Sequence, residues 1–255
     1  MSAPTITVAS YNMRKAVGLD RKRDPHRVLD VLHEIDADIV ALQEADKRVG
    51  GRGSAVPHEL IDDYGVYKPV HLGVRHKRVM DRVPGGKKVE ALLKVNTRNI
   101  GWHGNALLVK RHVGVLDVAA LELPTLEPRG AVMAELLIND RPLRVIGLHL
   151  DLSGLWRRRQ MRAILDAVQE RPQKMPTVLM GDTNEWRAAA GCLQDLNGAF
   201  QIAPTGPSFH ARHPVAQLDR IIVDKQLRID AAGVHMSPAA RRASDHLPIW
   251  ARLSV

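Results

Sequence analysis

Short apolar runs suited to buried β-strands recur from one end of the chain to the other, and this recurrence constrains the fold more than any other feature. The runs are TITVASY (Thr5 to Tyr11), DIVALQE (Asp38 to Glu44), NALLVKR (Asn105 to Arg111), VGVLDVAALEL (Val113 to Leu123), TVLMG (Thr177 to Gly181), QLDRIIVD (Gln217 to Asp224), LRIDAAGVHM (Leu227 to Met236) and HLPIWARLSV (His246 to Val255). Two more, AVMAELLIND (Ala131 to Asp140) and RPLRVIGLHLDLS (Arg141 to Ser153), meet at Asn139-Asp140 and read as a hairpin. Two helical patterns interrupt them. In RDPHRVLDVLHEI, Asp24 stands as N-cap, Pro25 takes the first helical position, and Val28, Leu32 and Ile35 repeat at helical spacing. In GLWRRRQMRAILDAVQER, Trp156, Met161, Ile164, Leu165 and Val168 gather toward one side. Strands paired in hairpins and broken by amphipathic helices predict an α/β chain in which two sheets pack together with helices outside. No composition break, linker or internal repeat divides residues 1–255, which read as a single domain. NALLVKR and VGVLDVAALEL read as neighbouring strands. Residues 45–99, rich in Gly, Pro and basic side chains, read as a long loop region with some strand.

Charge narrows the partners rather than the chemistry. A formal net charge of +9 favours anionic partners: nucleic acid, phospholipid headgroups or phosphorylated metabolites. The excess concentrates between Arg75 and Arg98 and in WRRRQMR (Trp156 to Arg162), although solvated faces also carry such runs. No apolar run approaches the roughly 20 residues that a membrane-spanning helix needs. The opening MSAPTITVASYN shows neither the basic nor the apolar region of a secretory signal. The single cysteine, Cys192, has no partner for an internal disulfide, which fits a reducing cytoplasm. Its ordinary place is that of a small buried apolar side chain.

Polar side chains stand where the apolar runs stop. Asn12 follows the first and Glu44 closes the second. His149 lies near the end of GLHLD, Asp182 and Asn184 follow TVLMG, Asp219 opens a strand, and Asp245 and His246 precede the last. Each has an ordinary structural reading as turn former, surface charge, core histidine or cap. Coincidence is a poor account of them all together, because the set is also chemically coherent. A hard cation such as Mg²⁺ takes one or two carboxylates with water and substrate phosphate, and Glu44, Asp245 and Asn12 can supply those oxygens. No Cys/His grouping suggests zinc. Cleaving a phosphodiester needs an oriented water, positive charge at the phosphate and help for the leaving oxygen. His246 can meet part of that need if a carboxylate fixes its tautomer, and Asp219 is the candidate.

The blocks SYNMR, LQE, HGNALLVKR, GLHL, GDTNEW, QLDRIIV and SDHLPIWARL resemble, in order and spacing, the endonuclease/exonuclease/phosphatase superfamily. Its members include pancreatic-type deoxyribonuclease, abasic-site endonucleases, sphingomyelinases and inositol-polyphosphate phosphatases. The likeness runs from about residue 5 to the C-terminus. It implies a four-layer α/β sandwich, two packed mixed β-sheets flanked by helices, with the site at the edge where strand ends converge. It also implies a Mg²⁺ site that accepts Mn²⁺, with Glu44 as principal ligand and Asn12 and Asp245 beside it. Asp182 would then orient or deprotonate the attacking water, Asn184 would donate to the phosphate, and His246, held by Asp219, would contact the scissile phosphate.

Within the superfamily, His149 and the run Asn12-Met13-Arg14 resemble the deoxyribonuclease and sphingomyelinase-like branch rather than the abasic-site enzymes. That likeness places Arg14 and Arg129 at phosphate, with a surface charge at a strand start as the ordinary reading of Arg129. The glutamate that supports the histidine in secreted deoxyribonucleases is not evident where WHGNALL stands. Either His103 and Asn105, which the likeness also places near the substrate phosphate, take its place, or His149 acts without a carboxylate partner. The short stretch from Asn184 to Asp219 leaves little room for the wedge loops of abasic-site enzymes. The expected function is a divalent-metal-dependent phosphodiesterase, first a nuclease acting on DNA, with RNA as a variant. The alternative substrate is a phospholipid headgroup or a small phosphorylated metabolite. A catalytically silent binding protein is disfavoured because Glu44, Asp182, Asn184, Asp219 and His246 are all present. Aromatic residues are few (4%), which counts against recognition by base stacking. A cytoplasmic monomer without a membrane span, able to meet an anionic membrane surface, completes the expectation.

Overall fold

The computed structural model describes residues 4–46, 54–72, 104–124, 130–187, 190–196 and 198–254. Within them the apolar runs become strands β1 (Thr5–Asn12), β2 (Ile39–Gln43), β3 (Tyr67–Pro69), β4 (Ala106–Lys110), β5 (Gly114–Glu122) and β6 (Gly130–Ile138). They continue as β7 (Arg141–His149), β8 (Thr177–Asp182), β9 (Phe200–Ile202), β10 (Asp219–Asp224), β11 (Arg228–Val234) and β12 (Ile249–Ser254). One sheet has the order β11-β12-β1-β2-β4-β3 and the other β5-β6-β7-β8-β10-β9. Both are mixed. β1 pairs with β2, and β7 with β8, in parallel, while the other pairings are antiparallel. A parallel pair needs a crossover, and helices α1 (Pro25–Ile35) and α3 (Gly154–Gln169) provide the two.

Alternation of side chains along the central strands builds the layers. Val8, Ile39 and Ala41 face Val145, Val178 and Met180 across the inter-sheet core. The intervening Ala9, Tyr11, Val40 and Leu42 pack under Val28 and Leu32 of α1. On the other sheet Ile146, Leu148 and Leu179 pack under Met161, Ile164 and Leu165 of α3. The result is a four-layer sandwich whose central strands are apolar on both faces. Asp24 caps α1 by accepting from the His26 N–H at 3.1 Å, and Pro25 opens the helix as expected. The β6–β7 hairpin turns at Asn139 and Asp140, both with positive φ (50° and 61°), which a two-residue type I′ turn requires and Asn and Asp tolerate. Among the described residues no helix is long and apolar enough to cross a membrane.

Three expectations need correction. β4 and β5 are not neighbours: β4 lies between β2 and β3, whereas β5 forms an edge of the other sheet. An apolar run shows that a strand is buried but not which sheet buries it. Residues 54–72 contain helix α2 (His58–Tyr64) before β3. It has under two turns and buries only Ile61, too little for a periodic signal. Trp156 is half-buried rather than in the apolar face of α3, and its ring carries the Arg159 guanidinium at 4.9 Å. The basic stretch from Arg75 to Arg98 lies outside the described residues.

Register brings the polar strand ends to one edge. Asn12 stands opposite Gln43, the residue before Glu44. His149 stands opposite Asp182, and Asp182 opposite Asp219, in one row across β7, β8 and β10. The last helix, α4 (Pro238–Ala243), leads through Ser244 to Asp245 and His246 at the same edge.

Candidate active site

Asp182 is the centre of the site, and the glycine before it makes that possible. A Cβ on Gly181 would lie 1.8 Å from the Leu148 carbonyl oxygen, so only glycine lets β8 run this close to β7. The buried Asp182 carboxylate uses its two oxygens differently. Oδ1 accepts from the Asn184 backbone N–H at 2.9 Å, the local turn that Asp and Asn commonly make. Oδ2 accepts from Asn12 Nδ2 at 3.0 Å and lies 3.6 Å from His149 Nε2 and 3.8 Å from His246 Nε2. The turn-forming reading of GDTN therefore holds for one oxygen, while the other faces three polar side chains. Asn184, at φ 50°, donates its side-chain amide to the Leu150 carbonyl at 2.8 Å.

His246 is fixed from the opposite side. Its Nδ1 lies 2.8 Å from Asp219 Oδ2, which also accepts from the Ser208 hydroxyl, and the Phe209 ring packs 4.8 Å from the imidazole. Asp219 is fully buried, and its Oδ1 has no hydrogen-bond partner. Burial pulls the His246 pKa down, but the charge and hydrogen bond of Asp219, with Asp182 and Asp245 behind it, outweigh burial and lift it from 6.5 to about 9. His246 is thus an imidazolium at neutral pH, with Nδ1–H given to Asp219 and Nε2–H turned toward Asp182.

Glu44 and Asp245 face the same edge, less deeply buried, with side chains 21% and 24% exposed. Each meets a base from the turn after β1: Lys15 Nζ lies 3.2 Å from Glu44, and Arg14 Nε 3.3 Å from Asp245. That turn holds Arg14, Lys15 and Ala16 at φ 46°, 57° and 58°, a left-handed run costing about 1–2 kcal/mol per residue. The Lys15 N–H donates to the Glu44 carbonyl at 3.1 Å and the Arg14 N–H to Asn12 Oδ1 at 3.2 Å. Strain retained at such an edge points to a functional constraint.

Asn12, Asp182, Asn184, His149, Asp219 and His246 are joined by direct contacts, and Arg14 meets the set through its N–H on Asn12 Oδ1 and pairs with Asp245 through its guanidinium. Asn105 is placed otherwise: fully buried, it donates to the Gly130 carbonyl at 2.7 Å, tying the start of β4 to the start of β6, and its Oδ1 is unpartnered. His103 and Arg129 lie outside the described residues. Ser208, Phe209, Lys15 and Ser244 are contributors that sequence reasoning passed over. The Ser244 hydroxyl donates to the Asn12 carbonyl at 2.7 Å and receives the His246 N–H at 3.3 Å, pinning SDH to β1. Ser244 adjoins Asp245 in the quoted block, but Ser208 and Phe209 sit in an aperiodic segment with no local signal.

Two groups offer metal ligands. Asp182, Asp219 and His246 bring ligand atoms within 4.8 Å of one another and could hold a metal ion. His246 Nδ1 already lies 2.8 Å from Asp219 Oδ2, however, and an ion there would have to replace that hydrogen bond. Glu44, Asp245 and the Asn12 amide oxygen are oxygen donors at the same edge, the chemistry that suits a hard divalent ion, and each carboxylate pairs with a cation from the neighbouring turn.

A model of the Endonuclease/Exonuclease/phosphatase family matches residues 9–246, from β1 to His246. The chain is similar to the uncharacterized protein YbhP of Escherichia coli K12, 27% identical over 161 residues, covering 60% of this chain and 63% of that protein's length. Among solved structures it is similar to D. rerio TDP2 complexed with a single-strand DNA product (16% identity, TM-score 0.69, covering 98% of this chain and 99% of that one). It is also similar to a mannosyl-6-phosphatase of Bacteroides thetaiotaomicron (17% identity, TM-score 0.68, 98% and 100%). At these identities the two structures establish the fold.

Proposed function

The chain belongs to the endonuclease/exonuclease/phosphatase family, and we propose that it hydrolyses a phosphodiester bond with a divalent metal ion bound, Mg²⁺ first and Mn²⁺ able to replace it. The observation that carries this reading is Asp182 Oδ2, held by Asn12 and set within 4 Å of two histidines. Glu44, with Asn12 and Asp245 beside it, would hold a metal ion that would supply positive charge to the phosphate and the leaving oxygen. The chain's own groups do the rest. Asp182 accepts a hydrogen bond from the attacking water and takes its proton as the new P–O bond forms; the P–O bond to the leaving alcohol breaks, and the alkoxide takes a proton from solvent. Charged His246 donates Nε2–H to a phosphate oxygen and stays charged because Asp219 holds it, and His149 lines the same space. Arg14 and the second N–H of the Asn184 amide are further donors to the phosphate.

Substrate class is read from charge and surface. The net charge of +9 supports a nuclease acting on DNA, or on RNA, because phosphate backbones attract such a protein. A second reading, a phospholipid headgroup, is supported by the exposed apolar side chains around the site. Either way the chain is proposed to act as a monomer. The reaction class is tested with a small chromogenic phosphodiester. Turnover is expected with Mg²⁺ or Mn²⁺, and should vanish in chelator and in Glu44→Ala, whose melting temperature should stay close to wild type. Undiminished turnover in chelator would remove the metal from the proposal.

A further inference from the structure

Among the described residues six large apolar side chains are more than half exposed, and five of them stand together. Leu152, Leu155, Trp186, Val215 and Met236 are each more than half exposed, and all five stand on segments that leave or approach the catalytic edge. Leu152 and Leu155 follow His149 into the first turn of α3, and Trp186 follows Asn184. The Val215 N–H donates to the Phe209 carbonyl at 2.8 Å. Met236 lies against Arg241, whose guanidinium donates to the Ala211 and Arg212 carbonyls at 3.3 Å each. The segments are tied together. Arg157 donates to the Leu152 carbonyl at 2.6 Å and pairs at 3.3 Å with Glu185, the residue before Trp186. Trp186 meets Phe209 edge-on at 6.4 Å, and Phe209 touches His246. The other exposed large apolar side chains among the described residues, Val115, Leu116 and Leu137, sit at the far end of the β5–β6 pair, where Gly114 stands opposite Leu137.

Apolar side chains gathered at one edge of the molecule mark a surface that something covers. What these groups lack indicates what it is. Leu152, Leu155, Val215 and Met236 have no side-chain donor for a phosphate backbone, and one indole makes a poor platform for stacked bases. Leucine, valine and methionine do gain by leaving water for the acyl boundary of a bilayer, and tryptophan settles at headgroup depth. Exposed Arg187 and Arg212 stand among them and attract anionic headgroups, whereas Arg158 is paired with Asp195 at 3.6 Å. We propose that this rim docks the protein on an anionic phospholipid bilayer, so that the site meets a headgroup phosphodiester at the membrane surface. The bond cut rests on the phosphodiesterase reading in its second, phospholipid form; the docking does not, and is measured separately.

The test uses the full chain carrying Glu44→Ala, so that lipid is not consumed, with vesicles of equal parts phosphatidylglycerol and phosphatidylcholine, and of phosphatidylcholine alone. The protein should sediment with the anionic vesicles, with a blue shift of tryptophan emission that Trp186→Phe removes. Adding Leu152→Asp and Leu155→Asp should weaken vesicle binding at least about tenfold, since two apolar side chains no longer enter the bilayer. In the otherwise wild-type chain the same two substitutions should leave turnover of the small diester unchanged. No sedimentation, or sedimentation indifferent to the two leucine substitutions, would overturn the docking. So would rim substitutions that slow plasmid DNA cleavage while vesicles have no effect, or that turn a dimer into a monomer. Vesicle binding without turnover of the small diester would instead count against the phosphodiesterase reading.

Discussion

Replacing Asp219 by Asn probes the electrostatic centre of the site. Burial disfavours the charged form of His246, and Asp219, 2.8 Å from Nδ1, with Asp182 and Asp245, more than offsets it, so the pKa stands near 9 rather than 6.5. At about 1.4 kcal/mol per pH unit, that preference for the imidazolium is worth roughly 3 kcal/mol to the folded chain. The His246 side chain is 8% exposed and Asp219 fully buried, so solvent screens the pair little. Because the folded pKa lies above the unfolded one, this stabilisation is fully present below about pH 6.5 and disappears as the pH rises through about 9. Asp219→Asn preserves the shape but removes the largest opposing charge, so the His246 pKa should fall. Urea unfolding of the metal-free protein should show wild type losing roughly 3 kcal/mol across that window and Asp219→Asn losing much less. With metal and the small diester, kcat should drop by about 10²–10⁴ and the basic limb of the pH profile should move to lower pH. Because Asp219 acts through His246, adding Asp219→Asn to His246→Ala should cost little more than His246→Ala alone. An unmoved basic limb, or fully additive losses in the double variant, would refute the coupling.

Two further substitutions test the centre and its support. Asp182→Asn keeps the size of the side chain but removes the proton acceptor, so kcat should fall by about 10²–10⁴ with KM little changed, measured on the same diester. Gly181→Ala places a Cβ 1.8 Å from the Leu148 carbonyl oxygen, which β7 can relieve only by shifting backbone. Thermal unfolding should show a loss of about 3 kcal/mol or more, with activity lost alongside, and an unchanged melting temperature would mean that the strands need not approach so closely.

The sequence by itself determined the elements and the kinds of group the site contains. A strand two-faced in its apolar pattern, a helix with Asp24 and Pro25 at its start, and an Asn-Asp hairpin turn are written in neighbouring residues, because backbone propensity and side-chain period act over a few positions. The polar residues at strand ends were legible for the same reason, and their order along the chain carried the family likeness. Tertiary structure decided which ends meet. Asn12 reaches Asp182, Ser208 reaches Asp219, and Asp245 reaches Arg14 only through the register of strands far apart in sequence. It separated β4 from β5, buried Asn105 between two strand starts, and gave the two carboxylates of Glu44 and Asp245 their bases from one left-handed turn. The pKa of His246 belongs wholly to this level. It is a balance between burial and three charges drawn from β8, β10 and the segment before β12, and a balance of that kind exists only once distance and solvent exclusion are set by the packed sheets.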